Sequence, residues 1–475
     1  MSTAPGTAEK PLRVAIVGSG PAGFYAAGHL LKNKKRPDLV AQVDMFDRLP
    51  TPWGLVRGGV APDHPNIKAV SRVYEKTAQH PEFRFYGNLE IGTDLTHEEL
   101  LERYHAVIYA VGAQTDRRMG IPGEDLPGSW AATEFVAWYN GHPEYRDLEF
   151  DFSHERAVVV GNGNVAADVA RMLALAPDEL ATTDVADHAL EVLARSAVRE
   201  IVVLGRRGPA QAAFTNPELL ELGDMRDADV YVDPRDAELD PLSREWLDSD
   251  GADITARKNV EILTGYSTRP PGGKPKRIAL RFLVSPVEIL GDDKVEAVRI
   301  CRNRLAPDRS GALRPRPTDE TETIPAGLVF RSIGYRGVPL PGLPFDESRG
   351  TIPNDRGRIL DPASGQHRRG EYAVGWIKRG PTGIIGTNKK DAQETIDLLI
   401  EDLSEDRLDT PSSPDGDELE ELLRERKPEF VSYAGWEAID RRERERGEPH
   451  GRPRVKYCTL EELLEAARES VPSSS

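Results

Sequence analysis

An α/β architecture of two units, the second inserted into the first, is predicted by three features of this 475-residue chain. The segment RVAIVGSGPAGFYAAGHLL, starting at Arg13, runs apolar strand, glycine-rich turn and alanine-rich helix. The same order restarts around Ala157 in RAVVVGNGNVAADVARMLAL, and YAVGWIKRGPTGIIGTNKKDAQETIDLLIEDL places another glycine-rich turn before a helix near the end. Repetition of strand, turn and helix builds parallel sheets covered by helices.

The elements follow in order. Residues 1–12 (MSTAPGTAEKPL) are small, polar and Pro-containing; they lack the apolar core of a signal peptide and are expected as a disordered lead. AQVDMFD (41–47) reads as the second strand. RLPTPWGLVRGGVAPDHPNIK (48–68) is too punctuated by Pro and Gly for regular structure, and a long loop in a compact domain is often functional. A helix around 69–79 precedes two strands, FRFYGNLEIG and AVIYAVGA (106–113). After the second glycine turn, IVVLGRRGPAQAAF (201–214) gives a strand ending in a basic turn. RIALRFLVSPVEIL and KVEAVRICR are β-like, residues 306–318 read as a surface hairpin or loop, and GLVFRSIGY (327–335) reads as a strand. In the charge-dense tail (404–475), SEDRLDTPSSPDGDE reads as a linker, and the rest alternates charge at helical spacing and is expected as solvated helices wrapping the surface.

Composition narrows the function. Hydrophobic residues make up 39% and charged residues 30%, a soluble globular balance. The net charge of −17 opposes attraction to nucleic acid or anionic membrane. No run approaches the ~18 apolar residues of a spanning helix. Two cysteines, Cys301 and Cys458, exclude a disulfide scaffold, a CxxC pair and a Cys-ligated zinc or iron–sulfur site within this chain. The expected setting is reducing and cytoplasmic.

Two motifs carry chemistry. In GSGPAG, Gly18 makes the tight turn, Gly20 lets the backbone approach a pyrophosphate, and Gly23 permits close helix–strand packing. Asp47, at the end of the next strand, suits ribose hydroxyls. In GNGNVA, Gly161, Gly163 and Ala166 repeat the pattern, but the next strand ends in Arg206 and Arg207. Guanidinium forks bind a 2′-phosphate that an acid there would repel. The predicted fold class is therefore α/β with two Rossmann-like dinucleotide-binding domains, for FAD and NADP, the NADP domain inserted into the FAD domain. The expected boundaries are 13–114 and 332–475 for the FAD-binding domain and 115–331 for the NADP-binding domain. Two such sites suggest hydride transfer from NADPH to FAD, with reactivity supplied by the cofactors.

The stretches IVGSGPAGFYAA, PTPWGLVRGGVAPDHP, IYAVGA, GNGNVAADVAR, GRRGPAQAAFT, SIGYRG, GWIKRGPTGIIGTNKKDA and GEPHGRPRVK resemble the adrenodoxin reductase-type ferredoxin–NADP⁺ reductases, in their bacterial single-chain form. The resemblance spans Arg13 to Lys456. It implies an NADPH:ferredoxin oxidoreductase passing single electrons to a ferredoxin-like iron–sulfur protein, with a cytochrome P450 as one downstream acceptor. It also implies FAD contacts at Ala22, Asp47, Leu55, Ile91, Trp376, Gly383, Ile384 and Ile385. NADP contacts would fall on Asn162, Gly163, Asn164, Val165, Arg206, Arg207, Glu218 and Gly383. His64 and Asp168 match positions proposed in relatives to aid electron or proton passage; the plainer readings are a loop-fixing histidine and a helix-surface aspartate. Two departures stand out. Asp47 replaces the usual glutamate, and Leu220 stands where relatives often carry an arginine on a ferredoxin-docking helix.

An acidic reductase needs a local basic surface to steer an acidic ferredoxin. The candidates are Arg269, Lys274, Lys276 and Arg277, and, near the third glycine turn, Lys378, Arg379, Lys389 and Lys390. Two rivals stand beside this reading: a flavin reductase serving a quinone, a flavodoxin or a partner subunit, and a catalytically silent nucleotide-binding sensor.

Overall fold

The computed structural model describes residues 5–249, 251–270, 272–413 and 416–468. The chain divides into two compact units. Met1–Thr115 and Tyr335–Ser475 form one, and Asp116–Gly334 form the other.

The first unit is built on an eight-stranded sheet in the order Asn354–Asp355, Arg358–Leu360, His367–Ala373, Ala106–Tyr109, Leu12–Val17, Ala41–Phe46, Phe83–Gly87 and Val431–Ser432. The five strands from His367–Ala373 to Phe83–Gly87 run parallel, and antiparallel strands finish both edges. Leu12–Val17 is buried throughout because the sheet is covered on both faces. Val14 and Ile16 point to the helices Pro21–Leu31 and Thr387–Ser404, where Ala26, Leu30, Ile396 and Leu399 meet them. Ala15 and Val17 face the opposite layer, which includes Leu100, Leu419 and Leu423.

The second unit carries a six-stranded parallel sheet in the order Ser129–Ala131, Leu328–Arg331, Arg156–Val160, Glu200–Gly205, Lys276–Phe282 and Ala228–Val232. A three-stranded antiparallel sheet, Val284–Leu290, Ala297–Pro307 and Leu313–Pro325, packs Val284, Ile289, Val298 and Ile300 against Val158, Val202 and Ala279 of the parallel sheet. The stretch 306–318 thus belongs largely to two long strands. Each unit ties its own crossing points. The Gln114 N–H donates to the Arg336 carbonyl at 3.0 Å in the first unit, and the Arg117 N–H donates to the Gly334 carbonyl at 3.0 Å in the second.

Three expectations are corrected. The lead is ordered from residue 5: the Val40 N–H donates to the Gly6 carbonyl at 2.9 Å, and Leu12 already belongs to a strand, while residues 1–4 lie outside the described part. The loop 48–68 contains two single-turn helices, Leu55–Gly58 and Pro65–Lys68. The tail is not a solvated wrapping, because its charges frame an inward stripe. Trp436, Ile439 and Glu443 are spaced three and four residues apart on one helix face, and all are buried. Val431–Ser432 also extends the sheet beside Tyr86 and Gly87.

Candidate functional site

In the first unit, four segments converge on the turn after Leu12–Val17. Gly18 has φ +104°, and a Cβ there would lie 2.5 Å from the Ala110 carbonyl oxygen. A Cβ on Gly23 would lie 2.2 Å from the Gly18 oxygen, so both positions are closed by the chain's own backbone. Gly20 differs: its nearest neighbour would be the Gly54 Cα at 4.0 Å. The turn is tight at both ends and open in the middle, at the N-terminus of helix Pro21–Leu31. Asp47 pins this turn. Its Oδ2 accepts from the Ser19 N–H at 2.9 Å and from the Ser19 hydroxyl, and its Oδ1 accepts from the Leu49 N–H at 2.9 Å. Oδ1, with a single donor, keeps a further lone pair for a ribose hydroxyl.

The loop 48–68 lies on the same turn, with the Trp53 N–H donating to the Ser19 carbonyl at 3.1 Å and Leu55 partly exposed. Gly375 approaches closely enough that a Cβ would meet the Ala22 Cβ at 2.6 Å, which brings Trp376 to the turn. The Trp376 ring lies 5.2 Å from that of Tyr335, and its buried indole N–H finds no acceptor among the described residues. Gly383 has φ +79°, and Ile384 is 62% exposed beside it, ahead of helix Thr387–Ser404. Ile91, by contrast, is buried against a second core cluster. An open backbone approach at Gly20, an orphaned indole donor and an exposed apolar turn fit FAD. Gly20→Ala should therefore leave the fold intact yet yield protein with less bound flavin. Wild-type flavin content in that variant, measured by absorbance after purification, would remove the turn from the site.

In the second unit, Gly163 caps helix Asn164–Ala174, with Val165 in its first turn and Ala166 buried where the third glycine would stand. Asn164 holds a neighbouring loop, its Oδ1 accepting from the Thr215 N–H at 2.8 Å. Gly205 ends its strand beside the Asn162 amide, and Arg206 and Arg207 follow, the first exposed and the second half-buried. Neither pairs with a carboxylate among the described residues. Burial, then Arg206 and Arg314, push the Arg207 guanidinium pKa down. A pair of unneutralised guanidinium groups at the end of this strand fits a phosphate. On the adjoining helices, Arg171 gathers three carboxylates: Asp168 at 3.5 Å, Glu218 at 3.4 Å and Glu221 at 3.1 Å. Leu220 is exposed on the same helix as Glu218. His64, buried, belongs to the first unit, where it precedes helix Pro65–Lys68.

Of the basic surface expected at 269–277, the two lysines turn to backbone carbonyls. The Lys274 ammonium donates to the Met225 carbonyl at 2.5 Å, and that of Lys276 donates to the Leu173 carbonyl at 2.8 Å, capping a helix C-terminus. Burial lowers Lys276 to about 8. Arg269 and Arg277 lie over the rings of Tyr266 and Tyr231. Lys274 and Lys276 thus hold the unit together, whereas Arg269 and Arg277 remain exposed. Lys378 is likewise buried between Asp391 and Glu394, whereas Lys389 and Lys390 are exposed. Residue reading also passed over Arg171; the signal for it was an arginine three positions after Asp168 on an otherwise apolar helix face.

Two open glycine turns, one backed by a carboxylate and the other by arginines, define an oxidoreductase that handles two dinucleotides. Comparisons with known proteins agree. The pyridine nucleotide-disulphide oxidoreductase profile matches residues 12–202. The chain is 54% identical to the NADPH-ferredoxin reductase FprA of Mycobacterium tuberculosis, over 96% of this chain and 99% of the relative. It is 42% identical to the mitochondrial NADPH:adrenodoxin oxidoreductase of Salvelinus fontinalis, over 96% and 91%. The solved structure of Mycobacterium tuberculosis FprA in complex with NADPH superposes with a TM-score of 0.91 at 52% identity, covering 97% of this chain and all of that one. The chain belongs to the adrenodoxin reductase-type ferredoxin–NADP⁺ reductases, a family of FAD-dependent oxidoreductases.

Proposed function

We propose that this chain oxidises NADPH and delivers the electrons one at a time to a ferredoxin-like iron–sulfur protein in the cytoplasm, with a cytochrome P450 as one onward acceptor. Bound FAD supplies the conversion of a hydride into single electrons. The chain's residues bind and orient. The Gly18–Gly23 turn and the N-terminus of helix Pro21–Leu31 receive the flavin diphosphate, and Asp47 receives its ribose. The Trp376 indole and the Gly383–Ile385 backbone offer donors to the cofactors' polar edges, with Ala22, Leu55 and Ile91 lining the same unit. Arg206 and Arg207 take the 2′-phosphate of NADPH, while Asn162, Gly163, Asn164, Val165 and Glu218 shape the path of its diphosphate and ribose. His64 and Asp168 are the candidates for proton passage. Within its unit, Asp168 has its Oδ1 held 3.5 Å from Arg171. Lys389 and Lys390, with Arg269 and Arg277, are the exposed cations among the candidates for steering an acidic partner.

The carrying observation is the unneutralised arginine pair where the first unit has an acid. The decisive experiment is anaerobic titration of the purified flavoprotein with NADPH and with NADH, following the flavin absorbance. Bleaching at far lower NADPH than NADH is expected. Equal response to both nucleotides would overturn the arginine assignment, and a colourless protein would overturn the FAD assignment.

A further inference from the structure

The Arg206–Arg207 turn is held from one side by a device that none of the glycine motifs contains. The Arg207 carbonyl accepts from the Leu283 N–H at 3.0 Å. Leu283 joins two strands with φ +55°, a backbone conformation that L side chains rarely adopt. Its own carbonyl accepts from the Asn303 N–H at 2.7 Å. The Asn303 side chain, in a residue only 4% exposed, then donates from its amide nitrogen to the Arg206 carbonyl at 2.9 Å and to the Ser285 hydroxyl at 2.8 Å. Pairing between Ala297–Pro307 and Leu313–Pro325 shifts register between Cys301 and Asn303. Such irregularities re-aim a side chain and recur next to functional sites. Both arginine carbonyls are therefore fixed by the antiparallel sheet, while Asn162 packs on Gly205 from the other side.

We infer that Asn303 is a positioning residue for cofactor selectivity: by holding the backbone of Arg206 through its amide, together with the strained Leu283 behind Arg207, it fixes the two guanidinium groups where a 2′-phosphate must sit. This rests on the reading of Arg206 and Arg207 as the 2′-phosphate site. The physical reason is that a guanidinium fork discriminates only when its geometry is preorganised. A turn free to shift by an ångström spreads the same charges over several positions and loses one bidentate contact. An oriented backbone here needs a donor aimed at the Arg206 carbonyl, and among the described residues the Asn303 amide provides it.

The test is calorimetric, on the FAD-loaded full chain, with 2′,5′-ADP and 5′-AMP as probes that differ only in the 2′-phosphate. Asn303→Ala is expected to weaken 2′,5′-ADP about tenfold, close to the value of one charge-assisted contact, and to leave 5′-AMP within about twofold. Ser285→Ala, which spares the bond to Arg206, is expected to leave both within about twofold. Wild-type affinity of Asn303→Ala for 2′,5′-ADP, or an equal loss of both probes, overturns the inference. If Asn303→Ala gives no soluble holoenzyme, Asn303→Ser, whose hydroxyl falls short of the Arg206 carbonyl, is judged by the same criteria. The Arg206→Ala/Arg207→Ala protein separates the two claims. If it still binds 2′,5′-ADP like the wild type, the site assignment itself fails. If it loses that binding and the Asn303 variant does not, only the positioning role fails.

Discussion

Replacing Arg206 and Arg207 together by alanine is expected to raise the KM for NADPH about a hundredfold or more and to leave turnover with NADH nearly unchanged. Each guanidinium can make a charge-assisted bond to the 2′-phosphate worth roughly 1.5–3 kcal/mol, and two such bonds correspond to at least that factor. NADH carries no phosphate there and forfeits nothing. The half-burial of Arg207, with Arg206 and Arg314 as its charged neighbours, makes the wild-type site short of an anion. The double variant relieves that shortage without leaving an unpaired carboxylate. Steady-state kinetics with a generic electron acceptor, so that partner docking plays no part, gives the ratio directly. A variant that keeps the wild-type preference for NADPH would place the phosphate elsewhere.

Arg57→Ala should lower stability by about 3 kcal/mol and loosen the flavin. Glu443 is 0% exposed, and its two oxygens accept from both terminal nitrogens of Arg57, at 2.8 and 2.5 Å. Arg454, at 3.1 Å, and the Tyr457 N–H, at 3.0 Å, add to its shell. Without Arg57 a buried carboxylate keeps only part of that shell, and an uncompensated buried charge is among the costliest single defects. Arg57 also stacks on Trp436 and sits in the loop whose Trp53 is bonded to Ser19, so the damage reaches the glycine turn. Burial alone would raise the Glu443 pKa, but Arg57 and Arg454 outweigh it and hold the carboxyl below its ordinary value. A group depressed in the folded state stabilises above its unfolded pKa of about 4.3 and loses that contribution as pH falls through the folded value. Thermal melts should therefore show the wild type and the variant far apart at neutral pH and converging in acid. A variant melting within a degree of the wild type at neutral pH would show the pair to be dispensable, and Arg57→Ala/Glu443→Leu should recover part of the loss.

Much of this was legible in the residues. The two glycine turns announce themselves because their strands and helices are local and strongly periodic, and the arginine pair is visible because it replaces an acid at an equivalent position. What stayed hidden depends on partners remote in sequence. The strand His367–Ala373 reads as polar, HRRGEYA, although its last four residues are buried between neighbouring strands. The tail's charges concealed a stripe whose purpose is clear only once Glu443 is seen against Arg57, 386 positions away. Lys274 and Lys276 looked like a free surface because no local rule marks a carbonyl-capping lysine when the carbonyls it meets lie 49 and 103 residues earlier. Asn303 lies 97 residues from the carbonyl it holds, in a stretch with no motif at all.

The adjacent crossing points carry a consequence for how such chains arise. Strands Ala106–Tyr109 and His367–Ala373 are direct neighbours in the host sheet, although the whole second unit intervenes between them in sequence. The host's ends are already tied at Gln114 and Arg336, and the guest's at Arg117 and Gly334. In genetic terms, residues 116–334 form a cassette with a single entry and exit. Recombination can remove it, exchange it or deliver it to another flavoprotein without re-threading any host strand. Ancestors of this chain could thus have changed the nucleotide they read by swapping one contiguous stretch of DNA, leaving the flavin-binding half untouched.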